Sequence, residues 1–86
     1  MKLSAELTLT PLKNDYIPSI KAFIKSLRNS ELKVLENPLS TQIYGDYDQL
    51  MTFLVPQIKI AFEKEEAVIL QLKLVKGDRS EYEPDF

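Results

Sequence analysis

Glu6, Thr8, Gln42 and Tyr44 supply a carboxylate, a hydroxyl, an amide and a phenol, side chains that recognise a ligand by charge, by hydrogen bonds and through a π face. Ser40 and Thr41 add two more hydroxyls one step before Gln42. The chain has no cysteine and no histidine, which removes thiol nucleophiles, disulfides, Cys/His zinc sites and the imidazole base. Catalysis would have to rest on carboxylates, lysine, tyrosine, serine or threonine. Asp46 and Asp48 invite a metal reading, but two carboxylates at the start of a helix are accounted for by capping and the helix dipole, so no metal site is assigned.

Positioning these groups falls to six predicted elements. Residues 3–10 alternate strictly, with Leu3, Ala5, Leu7 and Leu9 on one side and Ser4, Glu6, Thr8 and Thr10 on the other, the pattern of a strand covered on one face. Pro11 is expected to stop it. Asn14 or Asp15 then caps a helix in which Ile17, Ile20, Ile24 and Leu27 recur at helical spacing with Phe23 beside them, and Pro18 sits in the tolerant first turn. Leu32 and Val34 give a short second strand, and Leu35, which breaks the alternation, predicts a bulge.

Asn37-Pro38 marks a turn, and a third strand begins at Leu39, with Leu39, Thr41 and Ile43 pointing one way and Ser40, Gln42 and Tyr44 the other. Gly45 ends it, and Asp46 caps the next helix through its carboxylate, with Gln49 placed to bond back. That helix, about 47–64, carries Tyr47, Leu50, Met51, Leu54, Ile58, Ala61 and Phe62 on its stripe. Phe53, Val55 and Ile60 lie off it, and Pro56 predicts a bend. Ala67–Val75 is the last strand, with Val68, Leu70, Leu72 and Leu74 inward. A polar tail of residues 77–86 follows a 1–76 domain and is expected to be mobile.

Strand, helix, strand, strand, helix, strand is an α+β, ferredoxin-like βαββαβ fold, a four-stranded antiparallel sheet with two helices on one face. Strands one and three are its central pair. Glu6, Thr8, Gln42 and Tyr44 therefore meet on the face that the helices leave open, beside Ser40 and, from the last strand, Ile69, Gln71, Lys73 and Val75. Such a face serves equally as a hydrophilic sheet surface or as the polar part of a subunit contact.

Asn37-Pro38-Leu39-Ser40-Thr41 followed by Gly45-Asp46-Tyr47-Asp48, with Glu6-Leu7-Thr8-Leu9-Thr10-Pro11-Leu12 near the N-terminus, resembles the small thiamine-binding (YkoF-like) family over about residues 3–76. The resemblance implies a ferredoxin-like domain, assembly into a homodimer or homotetramer, and thiamine or its hydroxymethylpyrimidine part as ligand, with no further cofactor. Under that implication Glu6 balances the thiazolium cation, Tyr44 stacks on a ring, and Thr8, Ser40 or Gln42 bonds the pyrimidine edge, with Ser40-Thr41 the most family-like dipeptide.

Eighty-six residues make one domain of modest independent stability, for which oligomerisation is a natural remedy. A charge of −2 with lysines scattered among acids offers no footprint for nucleic acid. An RNA-recognition domain would also need several aromatics on the central strands, where Tyr44 stands alone. An acylphosphatase would need an arginine in the loop after strand one, but that loop is Pro11-Leu12-Lys13-Asn14-Asp15 and the arginines are Arg28 and Arg79. With no apolar run long enough to span a bilayer and no signal-peptide core at the N-terminus, the expectation is a cytoplasmic, non-enzymatic binding protein for carriage, salvage or sensing. The competing expectation is a ligand-free structural or regulatory oligomerisation module.

Overall fold

The computed structural model describes residues 1–86 as β1 (Lys2–Pro11), α1 (Ile17–Arg28), β2 (Lys33–Glu36), β3 (Thr41–Asp46), α2 (Tyr47–Glu63) and β4 (Val68–Lys76). The strands form one antiparallel sheet in the order β2-β3-β1-β4, and both helices lie on the same face. This is the ferredoxin-like βαββαβ fold.

The two-residue period of β1 sets the core. Leu3, Ala5, Leu7 and Leu9 turn toward the helices and are buried together with Phe23 and Leu27 of α1, Leu50, Leu54 and Ala61 of α2 and Ile43 of β3. Apolar area removed from water at these positions drives the layers together. At Gly45 a side chain would collide with Leu32, whose Cδ2 lies 2.6 Å from where a Cβ would sit, so glycine lets the turn before β2 close over β3.

Several expectations fail for identifiable reasons. Neither Asn14 nor Asp15 caps α1; Tyr16 occupies that position without a side-chain cap bond, and the loop is held instead by Lys13, 2.9 Å from the Glu65 carboxylate. Asp46 stands at the N-cap of α2 but makes no cap bond, because its carboxylate pairs with Lys2 Nζ at 3.3 Å across the β1–β3 ladder. β1 does end at Pro11, which is itself the last paired residue, opposite Val68, one position beyond the expected end. No bulge occurs at Leu35, since Lys33 to Glu36 pair in unbroken register with Tyr44 to Thr41. Leu35 simply faces the open side, while Glu36 faces the helices and binds Arg28 at 2.6 Å.

β3 starts at Thr41 rather than Leu39, because the Asn37 carboxamide accepts the amides of Leu39 and Ser40 and keeps those residues in the turn. α2 runs through Pro56 as one helix; the proline lies on the exposed side, where water can take up the Thr52 carbonyl that it frees. Phe53 packs against the core, whereas Tyr47 and Phe62 of the expected stripe are exposed. Leu72 and Leu74 face the helix side as expected yet remain 38% and 45% exposed, because β4 is the outer strand and the helices pack chiefly on β1 and β3.

Candidate functional site

The open face is built by register. Glu6 lies opposite Gln42 of β3 and Lys73 of β4, Ser4 opposite Tyr44 and Val75, and Thr8 opposite Gln71. The side chains of the central pair interact directly: Gln42 Nε2 donates to Ser40 Oγ at 2.6 Å, and that hydroxyl donates to Glu6 Oε2 at 3.0 Å. One carboxylate oxygen of Glu6 is thereby fixed, and the amide and hydroxyl are aligned in a row.

Four of the six sequence-derived candidates, Glu6, Ser40, Gln42 and Tyr44, lie in or directly beside one recess of about 150 Å³ in this face. Thr8 stands farther along β1, where its hydroxyl approaches the Leu39 carbonyl at 3.5 Å. Thr41 does not join them, because the same alternation that exposes Gln42 turns its side chain toward the core, where it is only 5% exposed.

Thr41, Thr8 and Ser40 instead line a second recess of about 150 Å³ at the end of β3, walled by Phe23, Ile20 and Leu39. Either recess alone is smaller than the roughly 300–1,000 Å³ of a pocket that encloses a drug-sized ligand, so each suits one ring. They adjoin at Ser40, which lines the second and bonds Glu6 of the first.

Sequence reasoning missed Arg79. The segment after β4 is not loose at its start. Gly77 turns at φ +103°, a conformation that side chains rarely adopt, and its amide donates to the Lys2 carbonyl at 2.8 Å. Ser4 Oγ donates to the Gly77 carbonyl at 2.8 Å and accepts the Arg79 amide at 2.9 Å. Ser4 is buried by this crossing, and Arg79 joins Glu6, Gln42, Tyr44, Lys73 and Val75 around the first recess. The available signal was a glycine directly after a strand, then Asp78-Arg79-Ser80, in which the Ser80 amide bonds the Asp78 carboxylate at 2.9 Å.

The recess carries both signs of charge. Partial burial, then the charges of Asp78 and Glu6, raises the Tyr44 phenol above its ordinary 10.0, so it stays a neutral hydrogen-bond donor at physiological pH. The Ser80 side chain and amide hold the Asp78 carboxyl below its ordinary value. Lys73 and Arg79 form no ion pair with either acid. The recess thus brings together a carboxylate, an amide, a phenol and two cationic side chains, groups able to bond, stack on and balance the charge of a ligand.

A family model described as thiamine-binding protein matches residues 5–84. No curated protein matches the sequence. Among solved structures, a Streptococcus pneumoniae protein is 28% identical and superposes with a TM-score of 0.82 over 91% of this chain and 89% of that one. A Thermotoga maritima protein, described as a candidate for thiamine biosynthesis or salvage, is 17% identical with a TM-score of 0.77 over 86% and 82%. A hypothetical protein from Methanocaldococcus jannascii is 24% identical with a TM-score of 0.75 over 93% and 84%. The two less similar matches establish a shared fold alone.

Proposed function

Because the chain belongs to the thiamine-binding protein family, we propose that it is a non-catalytic cytoplasmic protein that binds thiamine or its hydroxymethylpyrimidine part for carriage, salvage or sensing. The pyrimidine enters the recess at the end of β3, where Phe23 and Ile20 flank a flat ring and Thr8, Ser40 and Thr41 offer hydroxyls to its nitrogens. The thiazolium lies over Glu6 and Tyr44, where a carboxylate and a π face meet a cation. The observation that carries this reading is the Ser40 hydroxyl, which lines one recess while bonding the carboxylate of the other.

Isothermal calorimetry of the purified chain with thiamine and with hydroxymethylpyrimidine tests it. The expectation is saturable heat with both, and weaker binding of the single ring. Absence of heat with either overturns the reading.

A ligand-free oligomerisation module is the second reading, and the observation in its favour is the uncovered apolar edge at Leu72 and Leu74. Both readings include a homodimer or homotetramer. No helix is long and apolar enough to cross a membrane.

A further inference from the structure

The open-face recess contains more positive charge than a thiazolium needs. Lys73 and Arg79 both line it, and neither makes an ion pair or a side-chain hydrogen bond. An organic cation resting on Glu6 would meet two unsatisfied cations beside it. That arrangement is unfavourable for thiamine alone and favourable for a ligand that carries an anionic arm beyond its cationic ring.

We propose that Lys73 and Arg79 form a phosphate subsite, and that the ligand class is a phosphorylated thiamine; the proposal rests on the thiamine reading above. The geometry has the right order along β1. Thr8 lies in the ring recess, Glu6 two residues on, and Ser4, beneath the Arg79 amide, two residues further. At about 3.3 Å per residue, Thr8 to Ser4 spans roughly 13 Å. Pyrimidine, thiazolium and phosphorylated side chain follow one another in the same sequence along the ligand.

Arg79 is fixed for this work by its backbone rather than by its side chain, because Ser4 holds its amide and leaves the guanidinium free to fork onto two phosphate oxygens. Tyr44, neutral and adjacent, adds a donor. The nearby acids oppose an anion only weakly: Glu6 is bonded to Ser40 and lies mid-span under the cation, and Asp78 is turned to the Ser80 amide.

Calorimetry with thiamine and thiamine monophosphate, on wild type, Arg79→Gln, Arg79→Lys and the double variant Lys73→Gln/Arg79→Gln, tests the proposal. Wild type should bind the monophosphate roughly tenfold or more tightly than thiamine, as expected for one or two charge-assisted bonds. The double variant should lose that preference, with thiamine itself bound more tightly than by wild type because the two cations that oppose the thiazolium are gone, and Arg79→Lys should keep part of the preference. Equal affinities in wild type, or a preference that survives in the double variant, overturn the subsite while leaving the thiamine reading in place. If wild type binds neither compound, the thiamine reading itself falls and the subsite with it.

Discussion

Ser4 and Arg79, 75 positions apart in sequence, are joined by a 2.9 Å bond from the Arg79 amide to the Ser4 hydroxyl. The same hydroxyl donates to the Gly77 carbonyl, so one small side chain on the first strand holds down the segment that follows the last. Ser4→Ala removes both bonds and should destabilise the fold by about 1–2 kcal/mol, a fall in Tm of several degrees for a domain of this size. Hydrogen exchange at the Arg79 amide should accelerate. An unchanged melt with unchanged exchange would mean that the crossing is held by something else.

Glu6→Gln removes a negative charge at nearly constant shape, and the new carboxamide oxygen still accepts the Ser40 hydroxyl. Thiamine affinity should fall by roughly 1–3 kcal/mol with little change in Tm. Tyr44→Leu should weaken binding too, through lost stacking. Thiamine bound equally well by both variants would move the thiazolium off this face.

Pro56→Ala restores an amide donor inside α2 on its exposed side. A proline in a helix interior costs about 3 kcal/mol, partly offset by its restriction of the unfolded chain, so a net gain of about 1–2 kcal/mol is expected. A thermal melt reads it directly. A fall in Tm accompanied by a fall in mass on light scattering would mean that the helix shape at Pro56 serves a subunit contact.

Leu72 and Leu74 give β4 an apolar flank beside unpaired backbone groups. Light scattering should therefore give a mass of at least twice 9.9 kDa, and Leu72→Lys/Leu74→Lys should shift it toward the monomer. A wild-type monomer at micromolar concentration is the contrary result.

Glu65 ties the α2–β4 turn to the loop before α1 through Lys13, and its side chain is only 6% exposed. A hydrogen bond from Ser19, then one from Lys13, lowers its pKa below the ordinary 4.5. A carboxyl depressed in the folded state contributes stability that is fully present above its unfolded value and is lost as pH falls through its folded value. Tm should thus decline as pH drops below about 4.5, and Glu65→Gln should flatten that limb while leaving the neutral-pH plateau lower. An acid limb identical in the variant would remove Glu65 from this role.

The sheet was legible because β1 and β3 are inner strands, where alternation such as Leu3, Ala5, Leu7 and Leu9 translates directly into burial. At the periphery it did not. Leu72 and Leu74 alternate just as well, but period alone cannot say how far a helix layer reaches across an edge strand. Local capping signals misled for a related reason: Asp46 has the chemistry of a cap, yet a lysine brought beside it by strand register competes for the same oxygen. The meeting of Glu6 with Gln42 followed from strand order, whereas Arg79 belongs to a stretch with no period at all, placed by two long-range bonds to a serine.

The crossing at Gly77 also makes the open face lopsided. At its Ser4 end a layer of backbone overlies the sheet, while toward Thr10 and Ile69 the strands stay bare. Two sheets packed face to face approach to about 10 Å, a separation that a roofed half does not permit. Stacked copies would have to sit askew, meeting only across the bare half, whereas growth sideways from β4 meets no such obstruction.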